Sequence, residues 1–218
     1  MTYEIIKKDS AINTYISHAD AALEVLGFTE HSYAHVTKVA VTAGQLLQTL
    51  NYPDRTVELA KIAGYMHDIG NVVNRSEHSQ SGAVMAFRIL DRIGFEPEEI
   101  AVIVSAIGNH DEGTGVPVGA VAAALILADK SDVRRSRVRS KPIEGFDIHD
   151  RVNYSVTESC LRINEEKTQV TLELTVDTQF SPVMDYFEIF MSRMILCRKA
   201  ANALGLEFKL VINRQIML

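Results

Sequence analysis

The chain has 218 residues, 47% of them hydrophobic and 23% charged, which suits one soluble globular domain, or one domain with an appendage. No apolar run reaches the roughly 18 residues that span a bilayer, and the opening MTYEIIKKDS mixes charges into its apolar residues unlike a secretory signal, so the cytoplasm is the expected location. A net charge of −6 argues against polymeric nucleic acid and anionic membrane as partners.

The first 140 residues read as helices. Over 9–27, Ile12, Tyr15, Ile16, Ala19, Leu23 and Leu26 recur at three- and four-residue spacing. Over 30–50, Val36, Val39, Ala43, Leu46, Leu47 and Leu50 repeat the pattern. Further helices are predicted near 54–69, 77–93, 98–109 and 117–132, with breaks at NYP, IGN, GFEP and EGTGVPVG. Such short connections predict a compact bundle. After Pro142 the pattern changes: RVNYSVTESCLRI and TQVTLELTV read as strands joined at NEEK, 182–204 as a helix and LEFKLVI as a closing strand. The expected fold is therefore mainly α: a helical domain over 1–141 and a small C-terminal α+β (ββαβ) unit over 142–218. The open strand edges of that unit suggest a homodimer. Cys160 and Cys197 form no CxxC and are expected to be packing residues in a reducing compartment.

Five of the seven histidines fall between residues 31 and 110. His35 shares a helical stripe with Val39 and Leu46, so it points inward. His67 and Asp68 close the third helix, His78 opens the fourth, and His110 ends a helix. Asp129 follows the apolar run AVAAALILA, which draws it towards the interior. A buried carboxylate has to be paired, hydrogen-bonded or bound to metal. Four imidazoles and two carboxylates converging from helix ends would satisfy one another through a divalent transition metal, one or two ions per chain. The donors suit Fe, Mn, Co, Ni or Zn alike.

The order His35, His67-Asp68, Asp129, in the contexts HSYAHVTKVA, YMHDIG and ILADKSDVRR, resembles the HD-domain metal-dependent phosphohydrolase superfamily over roughly residues 20–140. The resemblance implies an HD-domain helical bundle with His35, His67, Asp68 and Asp129 as metal ligands. His78, in EHSQSGA, and His110 are similar to the two additional ligands of dinuclear members, in which the HD aspartate bridges the ions. That branch includes bacterial diadenosine tetraphosphate hydrolases. Two departures stand out. Asn71 occupies the lysine position of HDIGK relatives, and NHDEGTGVP lacks the first histidine, the glutamate and the tyrosine of the cyclic di-GMP phosphodiesterase stretch, so that substrate is not expected.

The implied activity is hydrolysis of a phosphoester or phosphoanhydride bond in a small phosphorylated molecule, foremost a nucleotide. Two ions would activate a water for in-line attack, and Asp68 would bridge them. Lys130 is assigned to phosphate contact or leaving-group assistance. Arg134 and Arg135, in a run continued by Arg137 and Arg139, are candidates for substrate binding, with a solvated helix end as the alternative. His31, one turn before His35, is a further candidate at the site. His18 and His149 are expected at the surface, and DEGTGVPVG is either a flap or a plain connector. Two other readings fit the same ligands: an HD-fold di-iron oxygenase, and a non-catalytic HD-type signalling domain.

Overall fold

A computed structural model describes residues 1–139 and 143–217. Its chain order is α1 (Tyr3–Lys8), α2 (Ser10–Val25), α3 (Tyr33–Thr49), α4 (Asp54–Met66), α5 (His78–Ile93), α6 (Pro97–Gly108) and α7 (Ala120–Lys130). Then follow α8 (Ile148–Ser155), β1 (Val156–Ile163), β2 (Gln169–Val176), α9 (Val183–Ala203), β3 (Glu207–Ile212) and β4 (Gln215–Ile216). The fold is thus mainly helical with a small C-terminal α+β part, as the periodicities predict. The expected boundary at residues 141–142 lies outside the described residues.

Local chemistry sets the helix starts. The Asp9 carboxylate accepts from the Ile12 amide at 3.0 Å and caps α2. Ser32 Oγ accepts from the Ala34 amide at 3.1 Å and caps α3, just ahead of His35. Helix α7 is apolar around its whole circumference and is correspondingly buried, in contact with α3, α4, α6 and α9. It forms the axis of the bundle, and its last turn delivers Asp129 and Lys130.

The C-terminal sheet has the order β1-β2-β3-β4. β1 and β2 are antiparallel, β2 and β3 parallel, and β3 and β4 antiparallel. A parallel pair needs a crossover, and α9 supplies it, packed between the sheet and α7. Val170, Leu172 and Leu174 of β2 and Phe208, Leu210 and Ile212 of β3 turn a buried face to that helix. Two expectations need correction. Residues 151–155 of the expected first strand are helical, because Asp147 caps α8 reciprocally with Asp150, at 2.8 Å and 3.2 Å. A fourth strand, β4, also extends the expected ββαβ order. Among the described residues no helix is long and apolar enough to cross a membrane.

Candidate metal centre

Six side chains from five helix ends meet in the bundle. His35 comes from the first turn of α3, His67 and Asp68 from the end of α4, His78 from the start of α5, His110 from just beyond α6 and Asp129 from the last turn of α7. The four imidazoles and Asp68 are buried, and Asp129 is partly so. Gly70 makes the approach of α5 possible. A Cβ there would lie 2.0 Å from the His78 carbonyl oxygen and 2.4 Å from the Gly82 nitrogen, so any side chain would drive His78 away from Asp68.

The same ring nitrogen is tied down in every case. Nδ1 of His67, His78 and His110 faces the carbonyls of Gly64, Arg75 and Ile107 at 2.8, 3.1 and 2.6 Å, and Nδ1 of His35 faces Asp132 Oδ2 at 2.8 Å. A carbonyl or carboxylate oxygen only accepts, so each Nδ1 carries a proton and each Nε2 faces inwards, where its lone pair can meet a cation. Those nitrogens surround Asp68 on two sides. Oδ2 lies 3.6 Å from His35 Nε2 and 3.2 Å from His67 Nε2, while Oδ1 lies 3.5 Å from His78 Nε2 and 3.9 Å from His110 Nε2. Asp129 Oδ1 closes the first side, 3.4 Å from His35 and 3.7 Å from His67. On the second side, His78 Nε2 and His110 Nε2 face each other at 3.2 Å.

Despite this crowding, His35 Nε2, His67 Nε2 and Asp68 Oδ2 are buried without a hydrogen-bond partner. Orphaned buried acceptors are costly, and lone pairs converging on one point fit a cation. His35, His67 and Asp129 on one side, and His67, Asp68 and His110 on the other, offer ligand atoms all within 4.8 Å of one another. The electrostatics agree. Burial pushes the Asp68 and Asp129 carboxyls up, but His67 beside the first and Lys130 beside the second hold both well below the usual range. Burial disfavours a charged His67, yet the two carboxylates prevail and raise it to about 10, which marks its Nε2 as a place for positive charge, carried by a proton or by a bound cation. His110 is held well below an ordinary histidine, by burial first and then by His67. The two ionised carboxylates thus draw positive charge between the imidazoles, and an imidazole and carboxylate shell suits a divalent ion there.

A second layer fixes the first. Asn71 Nδ2 donates to Asp68 Oδ1 at 3.0 Å and to the Asp68 carbonyl at 3.0 Å, so the residue that replaces a lysine orients a carboxylate. Asp132, behind His35, also pairs with Lys38 Nζ at 2.8 Å and Arg134 Nε at 2.8 Å. Lys130 Nζ lies 2.7 Å from Asp129 Oδ2 and 3.5 Å from Glu112 Oε1.

The centre opens into a cavity of about 320 Å³ whose wall carries His31, Arg75, Lys130, Arg137 and Arg193. His31 Nδ1 is held by the Thr29 carbonyl at 2.7 Å, and its ring lies 5.4 Å from that of His35. Arg134 and Arg135 do not line this cavity, contrary to the expectation that they contact substrate. Asp132 engages the Arg134 guanidinium. That of Arg135 donates to the Tyr154 carbonyl at 2.6 Å and lies over the rings of Tyr154 and Phe180. His18 is exposed as expected, whereas His149, also exposed, stands at the cavity rim. Of the arginine run named from the sequence, Arg137 does reach the cavity wall, whereas sequence reasoning missed Asp132, Glu112, Arg75 and Arg193. Only Asp132, three residues after Asp129, carried a signal.

The family described as HD domain matches residues 32–150. An uncharacterized protein of Methanocaldococcus jannaschii is 28% identical over 193 aligned positions, covering 77% of this chain and 73% of that protein. The crystal structure of a predicted HD superfamily hydrolase from an uncultured Thermotogales bacterium is 22% identical, with a TM-score of 0.46, and covers 57% of this chain and 67% of that one. The family match takes in all six converging residues and leaves β1–β4 and α9 outside.

Proposed function

The chain belongs to the HD domain family, and from that footing we propose that it is a metal-dependent phosphohydrolase acting on a small phosphorylated molecule, foremost a nucleotide. One observation carries the reading: the two oxygens of Asp68 face two separate sets of imidazole lone pairs. His35, His67, Asp129 and Asp68 Oδ2 would hold one divalent ion, and His78, His110 and Asp68 Oδ1 a second. Ions held there supply Lewis acidity to a water nucleophile and to phosphoryl oxygens.

The chain's own residues do the rest. The Nδ1 contacts keep each imidazole in the tautomer that a ligand needs. Asn71 prevents the Asp68 carboxylate from rotating. Lys130 neutralises the outer oxygen of Asp129 and brings an ammonium group to the cavity wall, beside the place where phosphoryl charge is handled. Arg75 and Arg137 add positive charge to the same wall, which favours an anionic substrate over a neutral or cationic one. With Nδ1 held by the Thr29 carbonyl, His31 keeps Nε2 as the acceptor of its ring, and with the arginines it makes the substrate side of the centre.

The test is metal analysis of the purified protein together with a nucleotide and phosphoester panel, run anaerobically with Mn or Co. Phosphate release is the expected result. Oxygen-dependent turnover with a mixed-valence iron signal would replace this reading with a di-iron oxygenase. Bound metal with no turnover on the phosphoester panel and none with oxygen would leave a binding domain.

A further inference from the structure

Helix α9 lies outside the family match, yet it lines the cavity with Ile189, Phe190 and Arg193. Arg193 is held in two ways. Its guanidinium stacks 3.9 Å from the centre of the Phe190 ring, and its Nε donates to Glu112 Oε1 at 2.7 Å. The same Glu112 oxygen lies 3.5 Å from Lys130 Nζ. A single carboxylate thus sits between an ammonium and a guanidinium at the cavity wall, in the position that an anionic ligand group would take. Lys130 Nζ is also 2.7 Å from Asp129 Oδ2, so this bridge adjoins the candidate metal centre directly.

Glu112 belongs to the turn after α6. The turn is drawn tight at Gly115, whose amide donates to the Asp111 carbonyl at 2.7 Å and where a Cβ would meet Leu196 of α9 at 3.1 Å. The close packing brings Glu112 to Arg193. Glu112 itself is neither a candidate metal ligand nor part of the core, and its side chain is about a quarter exposed (26%). A carboxylate at that exposure is free to yield to a stronger anion.

We propose that Lys130 and Arg193 form an anion subsite next to the metal centre, with Glu112 as its resident occupant in the absence of ligand. Resting on the phosphohydrolase reading, the subsite assigns the substrate class: a molecule with two adjacent anionic groups, such as a di- or polyphosphate. One phosphoryl group meets the metal side and its neighbour displaces Glu112 to bridge Lys130 and Arg193. A monoester fills only the first position. Guanidinium and ammonium together suit phosphate, the first as a fork and the second as a point charge.

Equilibrium binding of methylenediphosphonate and of inorganic phosphate to the full-length, metal-loaded protein, freed of excess metal, tests this. The wild type should prefer methylenediphosphonate. Arg193→Met should weaken methylenediphosphonate about tenfold and leave phosphate unchanged, because a charge-assisted hydrogen bond is lost at the second position only. Glu112→Gln should tighten methylenediphosphonate, a gain that no damaged fold produces. An unchanged preference in both variants, or a wild type that binds neither probe, overturns the subsite. A protein that hydrolyses none of the panel yet shows the Arg193-dependent preference would refute the phosphohydrolase reading and keep the subsite. Hydrolysis with a preference indifferent to Arg193 and Glu112 would do the reverse.

Discussion

Asp132 Oδ2 accepts the Nδ1 proton of His35 at 2.8 Å across 97 residues of chain, and both side chains are fully buried. Three cations share that carboxylate: Lys38, Arg134 and, at 4.0 Å, Arg137. Asp132→Asn keeps an oxygen for His35 but strips the negative charge from the three. It should weaken metal binding about 10–100-fold, as loss of an orienting partner does. Stability should fall by about 3 kcal/mol, because Arg137 is left buried without its counter-charge. Competition with a chelator and thermal unfolding measure the two effects, and an unaltered metal affinity would remove Asp132 from the site.

Purified protein should carry one to two equivalents of transition metal, on the order of a mono- or dinuclear centre. Asp68→Ala should lose most of it together with turnover. His78→Ala and His110→Ala should each lose about one equivalent, and His35→Ala should disturb the other position. Elemental analysis decides: full stoichiometry in both His78→Ala and His110→Ala would make the centre mononuclear. Chelation should also lower the melting temperature, since a ligand bound only by the native state stabilises it.

The arginines divide sharply. Arg75 lines the cavity, whereas Arg135 is spent on Tyr154, Phe180 and Asp177. Arg75→Ala should raise KM for a phosphorylated substrate without loss of metal. Arg135→Ala should leave KM unchanged and cost about 1 kcal/mol of stability through the lost stacking. Steady-state kinetics on the two variants would show equal KM values if this division were wrong.

Acid should act through Glu112. Burial pushes its carboxyl up, but Lys130 and Arg193 prevail and hold it at about 2 in the folded chain, below its ordinary value of 4.5. A depressed folded value means that the unfolded chain binds the proton first. The contribution of Glu112 to stability is therefore complete above pH 4.5 and disappears as the pH falls towards 2. Unfolding free energies between pH 6 and about pH 3 should fall more steeply for the wild type than for Glu112→Gln. Parallel curves would show that the bridge contributes nothing.

The helices from α2 to α6 were legible because each repeats apolar residues on one face over several turns, and α7 because its apolar run is unbroken. α1 was not: six residues are too few for periodicity, and its start is held by Glu58, whose carboxylate accepts from the Tyr3 amide at 2.7 Å. Residues 151–155 of α8 read as strand because Val152 and Tyr154 favour extended structure locally, and a cap at Asp147 outweighs them. The converging histidines were legible because that residue is seldom concentrated. Asp132, Glu112 and Arg193 are ordinary charges in a chain of 28 acidic and 22 basic residues. Their positions depend on the approach of elements far apart in sequence, such as Glu112 and Arg193, which are 81 residues apart.

The crossover through α9 also ties the shape of the cavity to a sheet that contributes none of its lining. α9 packs on β2 and β3 on one side and on α7 on the other. A change that loosens the β2–β3 pairing would therefore displace Ile189, Phe190 and Arg193 while the six converging side chains, all carried by the helical bundle, keep their places.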